Sequence, residues 1–325
     1  MIKNKVVLIT GGAGFIGSNL CESLLDNKNI VKCLDNLSTG KKENIEPFLS
    51  NPNFSFIEGD IRDIEICRKA VDNVEIVLHQ AALGSVPRSI NDPITSNDVN
   101  ISGFLNMLVA VRDAKVKRFV YAASSSTYGD SENLPKVEEI IGKPLSPYAV
   151  TKYVNELYAD VFYKTYGLET IGLRYFNVYG RRQDPNGAYA AVIPKFTQLF
   201  MNLESPTING DGTNSRDFTY IDNVIQMNHL AATTSNKEAI GTVFNTAVGE
   251  RINLIEMTNL LKEYLSEYDE KIASVIINHG PNRLGDIPHS LASIHKAENL
   301  LGYKPTHNLK NGLYESIKWY WENLK

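Results

Sequence analysis

The sequence has few cysteines, no excess of positive charge and no long hydrophobic run. The three cysteines (Cys21, Cys33 and Cys67) lie in apolar segments without metal-site spacing, which predicts reduced core side chains in a cytoplasmic protein. The six histidines also lack ligand spacing, so no metal is predicted. A formal net charge of −4 without a basic block gives no argument for a nucleic acid or an anionic membrane as partner. No apolar run approaches the roughly 20 residues of a membrane span, and the first segment is predicted to be a strand instead of a signal peptide.

The most informative segment is the apolar run 5–10, which leads into spaced glycines. It predicts a buried parallel strand, a tight turn at Gly11 and then a helix, which is the arrangement that binds a dinucleotide. Gly14 lets the backbone approach a pyrophosphate, and Gly17 lets the helix pack closely on the strand. Asp35 ends the next apolar run, where a carboxylate can accept both ribose hydroxyls and would repel a 2′-phosphate. The cofactor is therefore predicted to be NAD.

Strands and helices alternate along the first half of the chain. Further strands are predicted at 54–60, 74–79, 118–123 and 169–176, and helices at 64–71, through 100–111 and at 148–163. This alternation predicts a Rossmann-type, doubly wound parallel α/β sheet with right-handed crossovers.

After about residue 179 the pattern loosens into loops rich in Pro, Gly, Asn and Asp. Helices are predicted between these loops at 190–203, 254–265, 293–300 and 309–324, and a strand at 242–245 is expected to return to the sheet. We expect an NAD-binding domain over 1–180 with a return of about 217–248. The remainder of 181–325 is expected to form a smaller, interleaved α/β substrate domain.

Ser124, Tyr148 and Lys152 form a candidate catalytic group. Ser124 follows a predicted buried strand, at the strand end where open α/β sheets bind ligands. Tyr148 and Lys152 lie four residues apart on a helix and hence on one face. A lysine ammonium beside a phenol is expected to lower the pKa of the phenol, so that Tyr148 can take a proton from a sugar hydroxyl. Ser124 would hydrogen-bond the oxygen on which charge changes.

The same spacing occurs a second time, at Ser290, Tyr314 and Lys318. Spacing alone therefore does not identify the catalytic group. Context favours the first trio, because Ser290 lies in a Pro-containing loop and Tyr314 on a terminal amphipathic helix.

Seven ordered motifs together resemble an extended short-chain dehydrogenase/reductase. They are TGGAGFIG at 10–17, DNLSTG at 35–40, GDIRD at 59–63, HQAA at 79–82, SSSTYG at 124–129, YAVTK at 148–152 and RYFN at 174–177. Within that superfamily the chain is similar to the nucleotide-sugar 4-epimerases, and most closely to those that act on UDP-N-acetylglucosamine.

The resemblance implies a site for NAD. Asp60 and Ile61 would flank the adenine, and Ala81 and Ala82 would line the path of the phosphates. The implied cofactor contacts are Gly11, Gly14, Phe15, Ile16, Asp35, Asn36, Ser38, Thr39, Gly40, Asp60, Ile61, Gln80, Ala81, Ala82, Asn100, Tyr148, Lys152 and Tyr175.

The resemblance also implies a site for a UDP-sugar. Asn177 would contact the diphosphate, the segment 191–195 would hold the uracil, and Asp286 would bind the nucleotide ribose. Arg216 and Arg283 would clamp the phosphates, since guanidinium forks suit diphosphate oxygens. The implied substrate contacts are Gly84, Ser85, Val86, Ser124, Ser125, Ser126, Tyr148, Asn177, Ala191, Val192, Lys195, Arg216, Arg283, Asp286 and Ser290.

Ser290 aligns with a position that faces the sugar, where epimerases restricted to UDP-glucose and UDP-galactose carry a bulky tyrosine. A serine leaves room for a 2-acetamido group, and the Ser85 hydroxyl can reach a sugar oxygen or an acetamido carbonyl. The resemblance thus implies reversible C4 epimerisation of UDP-N-acetylglucosamine to UDP-N-acetylgalactosamine. The reaction would pass through a 4-keto intermediate and transient NADH, with UDP-glucose and UDP-galactose as further substrates.

Other activities of the same scaffold stay open. Related 4,6-dehydratases carry an acidic pair where this chain has Ser125 and Ser126, which disfavours elimination. An epimerase or decarboxylase acting on UDP-glucuronate or UDP-N-acetylglucosaminuronate would need a cation for the C6 carboxylate, and Arg88 or Arg181 could serve. An NAD-binding regulator of the same fold is the non-enzyme alternative.

The family also implies a homodimer. It would form by pairing the helices around 100–113 and 149–165 into a four-helix bundle. The apolar residues of the second helix cover more of its circumference than a single stripe, which agrees with a second packed face. They include Tyr153, Leu157, Val161 and Phe162.

Overall fold

A computed structural model describes residues 1–186, 190–281 and 288–324 of the chain. In these ranges a seven-stranded parallel sheet lies at the centre, which confirms the predicted α/β class. Its strands, in chain order, are β1 (Val6–Thr10), β2 (Ile30–Asp35), β3 (Phe54–Glu58), β4 (Ile76–His79), β5 (Arg118–Ser124), β6 (Glu169–Tyr175) and β11 (Thr242–Thr246). Their spatial order is β11-β6-β5-β4-β1-β2-β3.

Short strands in the intervening and later segments form three two-stranded pairs. They are β7 (Val178–Tyr179) with β10 (Thr219–Tyr220), β8 (Thr207–Asn209) with β13 (Asn278–Gly280), and β9 (Ser215–Arg216) with β12 (Ile252–Asn253). β11 pairs with β6, so residues far along the chain complete the edge of the central sheet. The domain boundaries proposed from the sequence stay a prediction.

The described α-helices pack around the sheet and beside it. They are α1 (Phe15–Asp26), α2 (Ile64–Ala70), α3 (Val86–Asn91), α4 (Pro93–Asn97), α5 (Phe104–Asp113), α6 (Pro147–Tyr166), α7 (Val192–Met201), α8 (Ile221–Thr233), α9 (Leu254–Ser266), α10 (His295–Leu301) and α11 (Leu309–Asn323). The single helix predicted through 100–111 is instead a π-helical turn (Asp98–Gly103) that continues into α5.

Alternation along the strands divides the core into two layers. In β1, Val7 and Ile9 belong to the layer that contains α1 and α8, whereas Leu8 belongs to the layer that contains α2, α5 and α6. Successive strand side chains point to opposite faces, so a continuous apolar run is required wherever both faces are covered. The sequence 6–10 meets this requirement.

Helix α6 carries two residues of the candidate catalytic group, and local signals fix its ends. The Ser146 side chain accepts a hydrogen bond from the N–H of Ala149, and Pro147 occupies the first helical position. Gly167 ends the helix in the left-handed conformation, with φ of 69°. These caps place Tyr148 in the first turn of α6 and Lys152 one turn later.

Helix α8 was not predicted from the sequence. It buries nine of its thirteen residues, including the polar Asn223, Asn228 and His229. A helix that is buried on most sides shows no apolar stripe against a polar face, which is the signal that sequence periodicity detects. Within the described ranges, no helix is long and apolar enough to cross a membrane.

Candidate active site

The turn between β1 and α1 forms a cradle of bare backbone. Gly11 has φ of +68° and donates its N–H to the carbonyl of Leu34. A Cβ on Gly17 would lie 2.1 Å from the carbonyl oxygen of Gly11, so the close approach of helix and strand requires glycine there. Gly14 precedes α1 and offers no side-chain cap, so the first N–H groups of the helix are free to donate hydrogen bonds to an anion. This cradle fits a pyrophosphate.

Asp35 ends β2 beside this cradle. Its Oδ2 accepts the N–H of Ala13 at 2.9 Å, and its Oδ1 accepts the N–H of Leu37 at 2.8 Å. Burial raises the pKa of the Asp35 carboxyl, and these two N–H groups offset part of the rise. A Cβ on Gly40 would lie 2.9 Å from both carboxylate oxygens, so the approach to them stays open only with glycine. The arrangement fits a ribose with two free hydroxyls, as in NAD.

A cavity of about 450 Å³ follows the carboxyl ends of the strands. Most of the predicted contacts line it: Gly11, Gly14, Phe15, Ile16, Asp35, Asn36, Ser38, Thr39, Asp60, Ile61, Gln80, Ala81, Ala82, Gly84, Ser124, Tyr148, Lys152, Tyr175 and Asn177. Most of the predicted cofactor contacts therefore share one space with four of the predicted substrate contacts, which are Gly84, Ser124, Tyr148 and Asn177.

Ser124, Tyr148 and Lys152 meet in this cavity. Ser124 ends β5, next to Tyr175 at the end of β6, and its Oγ accepts hydrogen bonds from the N–H and the Oγ–H of Ser126. A side-chain hydrogen bond joins Ser124 and Tyr148. The Lys152 ammonium is buried and donates to the carbonyl of Ala122 at 2.8 Å.

Burial shifts the pKa values of both titratable groups of the trio. Burial raises the pKa of the Tyr148 phenol, and the hydrogen bond with Ser124 offsets only part of this rise. Burial also lowers the pKa of Lys152 to about 8, against an opposing effect of the Glu156 carboxylate. Desolvation is thus the larger effect on the phenol, and the Lys152 ammonium donates to a backbone carbonyl; the lowering of the Tyr148 pKa by Lys152 stays a prediction.

A closed triangle of partly buried hydrogen bonds lies beside the trio. The Tyr175 hydroxyl donates to Gln80 at 3.1 Å, Gln80 donates to Asn228 at 3.3 Å, and Asn228 donates to the Tyr175 hydroxyl at 2.9 Å. Burial raises the pKa of Tyr175 to about 12, so this phenol stays a donor at neutral pH. Asn228 lies on α8 and was missed with that helix.

Three predicted contacts, Asn100, Ser125 and Ser126, are not among the residues that line the cavity. Asn100 is buried and bonds to the backbone of Leu83 and to the hydroxyl of Thr151. Ser125 and Ser126 lie in the single 3₁₀ turn (Ser125–Tyr128) that follows Ser124.

The predicted sugar and nucleotide contacts are spread over several segments. The Ser85 hydroxyl caps α3 by accepting the N–H of Arg88, and Val86 begins that helix. Ala191 precedes α7, which begins at Val192 and carries Lys195 on an exposed position. Arg283 and Asp286 lie outside the described residues.

Asn177 and Arg216 lie near each other in the chain fold and have protein partners. Asn177 lines the cavity with φ of 35° and donates its side-chain N–H to the carbonyl of Asp217. Arg216 donates to the carbonyls of Ser215 and Pro288. Ser290 lies close by, since its N–H donates to the carbonyl of Ser215.

Gln183 is a cavity residue that the sequence did not reveal. Its Nε2 donates to the carbonyl of Val178, while its buried Oε1 has no hydrogen-bond partner. An unpaired buried acceptor at a cavity wall marks a place for a donor on a ligand. The position a few residues after β7 was the available signal. The other unpredicted lining residues are Gly17, Leu34, Gly59, Leu83, Val99, Ala122, Ala123 and Val178.

His79 ends β4 and has a structural environment. Its ring packs against Phe104 and Phe119, and its Nδ1 lies 2.8 Å from the hydroxyl of Thr10. Burial lowers the pKa of His79 to about 3, so the ring is neutral. Among the described residues, no cluster of His, Cys, Asp and Glu side chains is placed to hold a metal ion.

Comparison with known proteins gives matches along nearly the whole chain. A model described as the NAD dependent epimerase/dehydratase family matches residues 7–247. A putative UDP-glucose 4-epimerase of Methanocaldococcus jannaschii is 37% identical over 316 residues, which are 97% of this chain and 98% of that protein.

Solved structures agree with these matches. The UDP-N-acetylglucosamine 4-epimerase from Methanobrevibacter ruminantium M1, in complex with UDP-N-acetylmuramic acid, has a TM-score of 0.91 and 37% identity and covers 99% of both chains. The UDP-glucuronic acid 4-epimerase from Bacillus cereus, in complex with UDP-glucuronic acid and NAD, has a TM-score of 0.87 and 32% identity. The alignment covers 97% of this chain and 99% of that one.

Proposed function

The chain belongs to the NAD dependent epimerase/dehydratase family, and we propose that it is a UDP-sugar 4-epimerase whose main substrate pair is UDP-N-acetylglucosamine and UDP-N-acetylgalactosamine. The observation that carries this proposal is the meeting of Ser124, Tyr148 and Lys152 in the cavity that also contains the glycine cradle and Asp35. A dinucleotide and a sugar hydroxyl can therefore be brought to the same tyrosine.

The cradle at Gly11, Gly14 and the start of α1 would hold the pyrophosphate of NAD, and Asp35 would accept the hydroxyls of its ribose. When bound, NAD supplies an acceptor for the C4 hydride of the sugar and a store from which the hydride is returned. Its positive charge next to the trio would favour the phenolate form of Tyr148, against the effect of burial.

The side chains of the trio have separate tasks in this proposal. Tyr148 takes the proton from O4 of the sugar and gives it back after the hexose has turned to present its other face. Ser124 donates a hydrogen bond to the same oxygen, on which charge develops. Lys152 is a positioning residue that keeps a cation near the phenol. Because the hydride taken from C4 would be returned to the other face of the same carbon while Tyr148 returns the proton to O4, C4 is inverted without net oxidation.

The surroundings of the sugar favour a neutral hexose. Of the described residues that line the cavity, Lys152 is the only cationic one. Arg181, one candidate partner for a C6 carboxylate, is paired with Asp222 at 2.7 Å and with Glu22 at 3.5 Å. The small side chains of Ser85 and Ser290 supply hydroxyls for a neutral oxygen and space for an acetamido group. The similarity to the UDP-N-acetylglucosamine 4-epimerase from Methanobrevibacter ruminantium supports the same choice.

The proposal is tested by incubating the purified protein, without added cofactor, with UDP-N-acetylglucosamine, UDP-glucose and UDP-glucuronate in separate reactions. The products are identified by NMR, and the bound cofactor is released and measured by its absorbance. We expect UDP-N-acetylgalactosamine as the main product and NAD in the protein. A pentose product and carbon dioxide from UDP-glucuronate would move the enzyme to the decarboxylases, and the absence of any turnover would favour the regulator.

The size of residue 290 is expected to decide the substrate preference. Ser290→Tyr should lower kcat/KM for UDP-N-acetylglucosamine about fivefold or more, because overpacking a filled site costs about 1–3 kcal/mol. UDP-glucose, which lacks the acetamido group, should lose much less. Ser290→Ala is the matched control, since it keeps the space and should keep the preference. An unchanged preference in Ser290→Tyr would refute the role given to this residue.

We also propose that the protein is a homodimer formed through α6 and its neighbour α5. Val150, Leu157 and Val161 form one stripe along α6, and each is about half exposed. An apolar stripe on a helix already packed on its other side indicates a protein partner. Leu157→Glu should convert the dimer to a monomer in sedimentation velocity. Leu203→Glu, an equally exposed leucine outside the stripe, should leave the dimer intact; a wild-type monomer would contradict the proposal.

A further inference from the structure

Asn245 on β11 is a fully buried amide that connects three separate segments of the chain. Its backbone N–H donates to the Glu138 carboxylate at 2.8 Å. Its Oδ1 accepts a 2.6 Å hydrogen bond from the Tyr128 hydroxyl, and its Nδ2 donates to the carbonyls of Lys136 and Ser293, each at 2.9 Å. Every N–H of this residue and its side-chain oxygen thus have partners. We call this group, with Tyr128, the Asn245 junction.

One arm of the junction reaches the turn that begins at Ser124. Tyr128 is the last residue of the 3₁₀ turn Ser125–Tyr128. Ser124 caps the start of this turn, because its Oγ accepts the N–H of Ser126. Tyr128 is buried, and burial raises its pKa to about 12, so its hydroxyl is a proton donor at neutral pH. The hydrogen bond to Asn245 therefore fixes the far end of the turn that carries Ser124.

The other arm reaches the segment that carries Ser290. The N–H of Lys136 donates to the carbonyl of Leu291 at 2.7 Å, and the N–H of Ser293 donates to the carbonyl of Lys136 at 2.9 Å. The Asn245 side-chain amide donates to the carbonyl of Lys136, which also accepts the N–H of Ser293, and to the carbonyl of Ser293 itself. Ser290 is the residue before Leu291, so these hydrogen bonds hold the chain that directly follows Ser290.

An asparagine is suited to this place because its two ends differ. The oxygen faces a hydroxyl donor, and the amide nitrogen faces two carbonyl acceptors. A fully satisfied buried network holds one geometry, and a partly satisfied one is costly in a low-dielectric core. The junction therefore fixes the distance between the Ser124 turn and the Ser290 segment.

We propose that Asn245 and Tyr128 are positioning residues that set the width of the sugar site, and through it the preference for 2-acetamido over 2-hydroxy hexoses. The inference rests on the proposed function, because it takes Ser124 and Ser290 as the two sides of that site. Neither residue touches the substrate in this proposal.

The first test is Tyr128→Phe, which removes one hydroxyl and keeps the ring. We expect the preference for UDP-N-acetylglucosamine over UDP-glucose to fall at least about threefold, measured as the ratio of kcat/KM values and as the ratio of Kd values by titration calorimetry. The Kd ratio gives a preference even where turnover of UDP-glucose is too slow to follow. Tyr179→Phe is the matched control, since Tyr179 is equally buried and its hydroxyl donates to the carbonyl of Leu309. It should lose stability and keep the preference.

The second test is Asn245→Ala, which releases Ser293 and Lys136 together and should lower the preference at least as much. Circular dichroism and thermal unfolding establish that each variant is folded. Equal losses with both sugars, or a preference as in Tyr179→Phe, would overturn the inference while leaving the proposed function intact. Failure of the wild-type protein to epimerise UDP-N-acetylglucosamine would instead refute the proposed function, and the inference with it.

Discussion

Tyr148→Phe is expected to lower the rate of epimerisation by at least about a hundredfold, which is the low end of the effect of a general acid–base group. Phenylalanine keeps the ring that packs in the cavity and removes the only atom that can exchange a proton with O4. The hydrogen bond with Ser124 is lost as well. Because the glycine cradle and Asp35 are untouched, the variant should keep its fold and its NAD.

The rate is measured by NMR with UDP-N-acetylglucosamine, and the cofactor content by absorbance after release from the protein. Tyr314→Phe is the matched control, since Tyr314 begins the second Tyr-x-x-x-Lys pair but is half exposed on α11. It should epimerise at nearly the wild-type rate. Near-normal turnover by Tyr148→Phe would exclude this tyrosine as the proton carrier.

The second large effect is expected on stability, from the buried ion pair between β6 and α6. The Arg174 guanidinium donates two hydrogen bonds to Glu156, at 2.9 and 2.8 Å, and a third to the carbonyl of Glu138. It also stacks 4.8 Å from the ring centre of Tyr128. The side chains of the pair are 3% and 7% exposed. Arg174→Met should lower the free energy of unfolding by about 3–5 kcal/mol, because it leaves the Glu156 carboxylate buried without a partner.

Two further variants separate this cause from a general effect of lost charge. Lys164→Met breaks the pair between Lys164 and Asp160 on the exposed face of α6 and should cost about 0.5 kcal/mol or less. Arg174→Met combined with Glu156→Leu removes both buried charges and should recover most of the loss. Urea unfolding of the NAD-loaded proteins gives the three values. A cost for Arg174→Met no larger than that for Lys164→Met would contradict the argument.

The sequence by itself determined the features that depend on residues close together in the chain. The run 6–10 and the glycines after it specify a strand, a turn and a helix locally, and Asp35 ends the next strand in the same way. The family match confirms the epimerase/dehydratase class and NAD dependence that these motifs predicted. Periodicity also predicted most helices. The observed bounds of helices and strands differ from the predicted ones by a few residues; the strand expected at 74–79, for example, begins at Ile76.

What only the tertiary structure decided depends on burial and on partners far along the chain. Periodicity does not reveal α8, because the helix is buried on most sides, and for the same reason Asn228 was not predicted. Burial raises the pKa of Tyr148, an effect that the spacing to Lys152 does not show, because desolvation is a property of the folded surroundings and not of the interval between two residues. Asn245 joins Tyr128, 117 residues away, to the segment of Ser290. A hydrogen bond over such a separation leaves no pattern in the sequence, because only the tertiary structure brings the two residues together.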